Sequence, residues 1–151
     1  MIKPDDPQKD GSGRRTLAFR AELSEMDQAR GFLRDCLRGV VVAEEDFFKL
    51  ELALVEICVN IIRYAYPDGP GTITVSVTLD PGVCLEIRDA GRAFDPRRVP
   101  VPEWEEHVKL GRKSGLGVFL ARSLVDDFEY RREGGENVVT LTQCLPALPC
   151  A

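Results

Sequence analysis

The sequence contains a single histidine, His107, and its five cysteines (Cys36, Cys58, Cys84, Cys144 and Cys150) include no Cys-x-x-Cys pair. A zinc site is therefore not expected, and the odd, scattered count argues against a disulfide framework as well. Cys36, Cys58 and Cys84 fall within apolar patterns and read as small core residues. No stretch resembles a membrane span, and residues 1–15 are too polar and charged for a signal peptide. The simplest expectation is a reduced, cytoplasmic protein with no membrane partner. Basic charge is also in deficit, with 20 Lys and Arg against 25 Asp and Glu and a net charge of -5. That balance argues against a nucleic-acid partner, because such affinity comes from neutralising phosphates.

What is present suffices for one domain, since 151 residues bury a core without staples. Residues 1–14 and 144–151 read as disordered tails, leaving 15–143 as the domain. Residues 16–21 alternate as a short strand around Leu17 and Phe19. Ser24 is expected to cap a helix, with Asp27 in the capping-box position. Met26, Ala29, Leu33 and Cys36, joined by Phe32 and Leu37, supply its apolar stripe as far as Gly39. A second helix runs from about Ala43 to the breaker cluster at 67–71. Ile73, Val75 and Val77, then Val83, Leu85 and Ile87, alternate about Asp80-Pro-Gly82 as an antiparallel hairpin with one buried face. Residues 92–114, with Trp104 and His107, form a long irregular stretch of the kind that is functional or mobile. A helix from Val118 to about Asp127, with Phe119, Leu120, Leu124 and Val125 inward, precedes a hairpin of 128–132 and 137–143. This order predicts an α+β fold, a two-layer sandwich with helices on one face of a mostly antiparallel sheet.

The second helix organises the rest. Phe47, Leu50, Leu54, Cys58 and Ile61 make one apolar ridge; Phe48, Leu52, Val55, Val59 and Ile62 make another. A helix apolar on nearly every side is normally buried, yet it carries Glu56 and Asn60 on one face, a turn apart. Burying a carboxylate and an amide is costly unless both are paired. Either core hydrogen bonds satisfy them, or they form a site for a cation and a reactive group. Two further islands bear on the choice. Asp89-Ala-Gly91 ends the hairpin, and Gly115-Leu-Gly117 opens a helix, where backbone amides favour an anion. Each island alone also suits an ordinary turn.

Together, Glu56-x-x-x-Asn60, residues 89–96 (Asp-Ala-Gly-Arg-Ala-Phe-Asp-Pro) and residues 115–127 resemble the N, G1 and G2 boxes of the GHKL ATPases. The short Asp-x-Gly-x-x-Phe-Asp-Pro run and the closing Tyr130-Arg-Arg-Glu-Gly-Gly135 resemble the anti-sigma-factor serine/threonine kinases of the RsbW type. The resemblance covers residues 15–143 and implies the Bergerat form of the α/β sandwich. It implies ATP and Mg²⁺ as ligands, with Asn60 coordinating the metal and Glu56 acting as general base. It implies that Asp89 accepts a hydrogen bond from the adenine amino group beside Gly91. Gly115, Leu116 and Gly117 then supply phosphate-facing backbone, and Arg63 is a further phosphate contact. Arg112 and Lys113 are expected to meet phosphates or a partner. The chain departs from many relatives in having Tyr64 in place of His and one glycine, not a run, before its last helix. A threonine common in the last strands of relatives has Asn137 or Thr140 near its place, the register being open.

Histidine kinases typically carry Asn where this chain has Glu56, so a hydroxyl acceptor is expected. The resemblance implies a sigma factor as one partner and a STAS-domain anti-anti-sigma factor as the phosphorylated other, with homodimers common. The alternatives are a nucleotide-binding partner switch without phosphoryl transfer, and a kinase of this type in a non-sigma pathway.

Overall fold

The computed structural model describes residues 8–98 and 116–150. Its strands are β1 (Gln8–Lys9), β2 (Arg15–Arg20), β3 (Thr72–Thr78), β4 (Val83–Asp89), β5 (Asp127–Glu133) and β6 (Glu136–Gln143). Its helices are α1 (Met26–Cys36), α2 (Glu44–Asn60) and α3 (Leu116–Leu124). The strands form a six-stranded sheet in the order β1-β2-β3-β4-β6-β5, and every pairing is antiparallel. The expected α+β class stands.

Alternation decides which face of the sheet is buried. Ile73, Val75 and Val77 of β3 pair with Asp89, Ile87 and Leu85 of β4, and all six side chains are buried. Leu17 and Phe19 extend this face on β2, as do Val139 and Leu141 on β6. Against it lie Ala29, Phe32 and Leu33 of α1 and Leu50, Leu54, Ile57 and Cys58 of α2, in one core cluster. Each fully buried Leu or Ile contributes about 1.5–3 kcal/mol. The opposite face is polar. There Glu86 accepts from Arg14 Nη2 at 2.7 Å and Arg88 Nε at 2.5 Å, so its carboxyl stays below its ordinary range although burial alone would raise it.

Several local expectations change. Ser24 lies inside a single 3-10 turn, Leu23–Glu25, and α1 starts at Met26 without a side-chain cap. Asp27 pairs with Arg30 instead, at 2.9 Å. On α2 the ridge through Leu50, Leu54, Cys58 and Ile61 is buried, whereas Phe48 on the second ridge is 61% exposed. Helix α3 starts two residues early, so Val118, Ala121 and the following Val125 face inward while Phe119 and Leu120 stand exposed. The hairpin turn Gly134-Gly135 has φ of 58° and 80°, a conformation that glycine adopts at little cost.

The segment after β6 is not a loose tail. Cys144 N–H donates to Asp126 Oδ2 at 2.7 Å, Leu145 is buried in the core, and Leu145 and Leu148 exchange backbone hydrogen bonds. This turn brings Cys150 back to Cys144, and the two form a disulfide with a Cα–Cα distance of 5.3 Å, within the usual range. The expectation of unpaired thiols therefore fails at these two positions. The returning segment lies on the β3–β4 turn, where Gly82 has φ of 58° and a Cβ would meet Gln143 O at 2.6 Å and Cys150 Sγ at 2.9 Å. With a sequence separation of 6, the bond closes a small loop and is expected to stabilise by about 2 kcal/mol on loop entropy. Denaturant unfolding with and without reductant, alongside Cys144→Ser, checks this. Equal midpoints would show that the tail is held by its packing alone.

Candidate nucleotide site

Helix α2 carries Glu56 half-buried and Asn60 buried on its last turn. Asn60 Nδ2 donates to the Glu56 carbonyl oxygen at 3.0 Å. That bond uses the nitrogen end of the amide and leaves the hard acceptor Oδ1 without a hydrogen-bond partner among the described residues. The helix then widens into a π-type turn, Ile61–Ala65, an irregularity found often at functional sites. Behind Asn60 the Cys58 thiol is fully buried; burial and the nearby Asp89 charge push its pKa up to about 12, so it is an inert packing group.

The π-turn holds the end of β4. Ala65 O accepts from Arg92 N–H at 3.0 Å, and Arg92 Nε donates to Tyr64 O at 2.8 Å. Tyr66 Oη donates to Thr72 O at 2.9 Å and accepts from Ala90 N–H at 2.8 Å. Tyr64 stacks on Phe94 with ring centroids 5.1 Å apart, so this residue serves the loop by packing. Gly91 is required by close approach: a Cβ there would overlap Ala65 O and lie 2.7 Å from Ala65 C.

Asp89 continues the inward row of Val83, Leu85 and Ile87 and is only 2% exposed. Its Oδ1 accepts from Gly91 N–H at 3.0 Å and from Asn137 Nδ2 at 2.9 Å. Burial nevertheless holds its pKa above the ordinary aspartate value. No hydrogen bond reaches Oδ2 among the described residues, which leaves that oxygen for a ligand donor. The pairing of Asp89 with Asn137 and of Glu86 with Thr140 puts the two candidate residues on opposite faces of the sheet. Asn137 faces inward beside Asp89, while Thr140 lies on the outer face. A polar residue in phase with Val139 and Leu141 was the available sequence signal, since buried polar groups need partners.

Helix α3 packs on α2 with Gly117 in its first turn. A Cβ on Gly117 would overlap Glu56 Oε2 and come within 3.0 Å of Glu56 Cδ, so the carboxylate rests against the helix N-terminus. The structure thus joins Glu56 to Gly117, and Asp89 to Gly91 and Asn137, with Asn60 on the same helix as Glu56. Arg63 is exposed on the π-turn and forms no hydrogen bond or ion pair among the described residues. Leu116 opens α3. Gly115, with Trp104, His107, Arg112 and Lys113, lies outside the described residues.

The donor chemistry suits a nucleotide with its metal. Among the described residues no group of three His, Cys, Asp or Glu side chains forms a metal cage. A lone amide oxygen one helical turn from a carboxylate matches Mg²⁺, which draws most of its shell from phosphates and water. A buried carboxylate at a strand end suits an amino donor on a planar base. The helix N-terminus suits phosphate.

A family model described as the histidine kinase-like ATPase domain matches residues 19–143. The serine-protein kinase RsbW of Bacillus cereus (strain ATCC 10987 / NRS 248) is 28% identical over 102 residues, 64% of this chain and 64% of that protein. The protein of the same name from Bacillus thuringiensis (strain Al Hakam) is 27% identical over 107 residues, again 64% of each. The match therefore spans less than two thirds of these curated relatives. The crystal structure of the RsbU and RsbW domains of Rv1364c from Mycobacterium tuberculosis superposes with a TM-score of 0.59 at 20% identity, over 90% of this chain and 34% of that one. That likeness shows a shared fold.

Proposed function

The chain belongs to the histidine kinase-like ATPase domain family, and on that premise we propose that it is an ATP-dependent serine/threonine protein kinase and anti-sigma factor of the RsbW type. It holds a sigma factor in one state and phosphorylates a small STAS-domain antagonist in the other. The observation that carries the reading is the Glu56 carboxylate lodged against Gly117 at the start of α3. A carboxylate there, a turn from the Asn60 amide, is a base beside the place where a helix N-terminus favours phosphate.

In this reading Glu56 accepts the proton of the acceptor hydroxyl as its oxygen bonds to the γ-phosphorus. The bond from that phosphorus to the bridging oxygen of the departing ADP breaks. Asn60 Oδ1 is the protein atom that would hold Mg²⁺, which would neutralise charge on the phosphates when bound. Asp89 Oδ2 accepts from the adenine amino group. The backbone of Leu116 and Gly117, at the start of α3, faces the phosphates, with Arg63 a secondary contact. Adding a phosphate of charge about -2 to the antagonist breaks its contact with the kinase and returns the surface to the sigma factor. The protein acts as a homodimer in the cytoplasm. No helix among the described residues is long and apolar enough to cross a membrane.

The test is transfer of label from γ-labelled ATP with Mg²⁺ into a lysate of the source organism, followed by identification of the labelled protein. One small labelled STAS-domain protein supports the reading; ATP binding without any label defeats the kinase assignment. Asn60→Ala is expected to abolish Mg²⁺-dependent ATP binding in calorimetry. Unchanged affinity would remove the metal role from Asn60.

A further inference from the structure

The Cys144–Cys150 bond closes a turn that little else ties down. Leu145 and Leu148 exchange backbone hydrogen bonds at 3.1 and 3.0 Å. Among the described residues no other hydrogen bond is made by 145–150. Leu145 is buried in the core and half-buried Leu148 packs against it. Two leucines and one covalent link therefore hold the whole segment. The neighbouring Gln143 strains the closed arrangement: its Oε1 is buried and has no hydrogen-bond partner among the described residues. A buried polar atom left unpaired costs free energy that access to water would relieve.

The two sulfurs differ in setting. Cys144, just after β6, is exposed. Cys150 is half-buried, and its Sγ lies against the β3–β4 turn, where a Cβ on Gly82 would sit 2.9 Å from it. An incoming thiolate meets Cys144 first, and Cys150 becomes the leaving sulfur. Access of this kind decides which disulfides exchange. Of the remaining thiols, Cys36 and Cys58 are buried, and burial pushes their pKa up to about 11 and about 12. Neither competes at neutral pH. Cys84 is half-buried and free, leaving it as the one other thiol within reach of a reagent.

We propose that Cys144–Cys150 is a reversible thiol–disulfide exchange site for a dithiol reductant, and that its reduction releases the Leu145–Leu148 turn while the sheet and the nucleotide site stay folded. One thiolate of the dithiol bonds to Cys144 Sγ, and the Cys144–Cys150 bond breaks with its electron pair going to Cys150 Sγ, which takes up a proton. The second sulfur of the reductant then bonds to the first and frees Cys144, which is protonated in turn. The protein gains two electrons and two protons, and the reductant leaves as a disulfide. The assignment agrees with the cytoplasmic reading above, on which this clause rests, because disulfides there are transient or redox-sensing. Opening stays local for a structural reason. Cys144 N–H donates to Asp126 Oδ2 and Asp126 N–H donates to Thr142 O at 3.0 Å. These bonds tie β6 to the α3–β5 junction without using sulfur, so they persist when the turn lifts.

The test treats the full oxidised chain with dithiothreitol under native conditions. Reactive thiols are counted with a chromogenic thiol reagent, and amide hydrogen exchange is followed by segment. One thiol, Cys84, is expected to react before reduction and three after it, with oxidised glutathione restoring the first count. Exchange at Leu145 and Leu148 is expected to speed roughly 10-fold on reduction, as for a local opening, with β3, β4 and β6 unchanged. Cys144→Ser is expected to show the fast exchange without reductant, and Cys84→Ser to keep the response to reductant. Resistance to dithiothreitol in the folded protein would make the bond a permanent staple and overturn the proposal. Slow exchange at Leu145 and Leu148 after reduction or in Cys144→Ser, faster exchange across the whole sheet, or a lost response in Cys84→Ser would overturn it equally. None of these readouts uses nucleotide. Their failure leaves the kinase reading standing, and a chain that binds no ATP leaves the exchange site standing.

Discussion

Glu56→Gln is expected to keep ATP binding within a few-fold of wild type while slowing phosphate transfer about 10²- to 10⁴-fold, the usual contribution of a positioned general base. The carboxamide has the size of the carboxylate, so the half-buried side chain keeps its place against Gly117. The Glu56 backbone oxygen still accepts from Asn60 Nδ2, so the metal-binding amide stays where it was. What the variant loses is the ability to take a proton from the acceptor hydroxyl. Single-turnover transfer and calorimetric ATP titration separate the two effects. A transfer rate within threefold of wild type would show that the proton leaves by another route. A parallel collapse of ATP affinity would instead make Glu56 a binding group.

Strictly periodic elements were legible in the sequence. The β3–β4 hairpin follows its alternation residue by residue, because a period of two with one buried face admits one register. The buried ridge of α2 was legible too, through Leu50, Leu54 and Cys58. Elements decided by distant contacts were not. On α3, hydrophobicity favoured Phe119 and Leu120 as inward residues, yet the inner face is Gly117, Val118 and Ala121. Close approach to Glu56 leaves no room for a side chain at Gly117. Ser24 looked like a helix cap, but the chain enters α1 through a 3-10 turn. The Cys144–Cys150 bond depends on a tail that returns to the β3–β4 turn, which no spacing rule announces.

The candidate site divides in the same way. Glu56 and Asn60 stood out because polar groups on an apolar helix need a reason. Asp89, Gly91 and Gly117 stood out as islands in a known order. Asn137 was named only as one of two candidates with Thr140, because choosing between them needs a partner 48 residues away and a register that only the paired strands fix. Tyr66 and Arg132 clamp the Asp89–Gly91 turn from two sides; Tyr66 carried no signal in the sequence, and Arg132 only as part of the 130–135 run. Side chains that position others carry no motif of their own.

Two glycine-to-alanine changes in this site are expected to fail for opposite reasons. At Gly91 the added methyl would overlap Ala65 O and sit 2.7 Å from both Ala65 C and Cβ. That carbonyl already accepts the Arg92 N–H, and the next turn is clamped by Tyr66. The backbone cannot yield without breaking these bonds, so Gly91→Ala is expected to cost about 1–3 kcal/mol of stability or more and to lose ATP binding with it. At Gly117 the methyl would instead meet the far end of a flexible side chain, Glu56 Oε2, with Glu56 Cδ at 3.0 Å. The carboxylate can swing away, and alanine is the better helix former by about 1 kcal/mol. Gly117→Ala is therefore expected to fold as well as wild type and to transfer phosphate as poorly as Glu56→Gln, because the base is displaced from the start of α3. Thermal unfolding and single-turnover transfer on both variants separate the cases. A fully active Gly117→Ala would show that Glu56 does its work from another rotamer, whereas a stable, ATP-binding Gly91→Ala would show that the π-turn gives way more readily than its hydrogen bonds indicate.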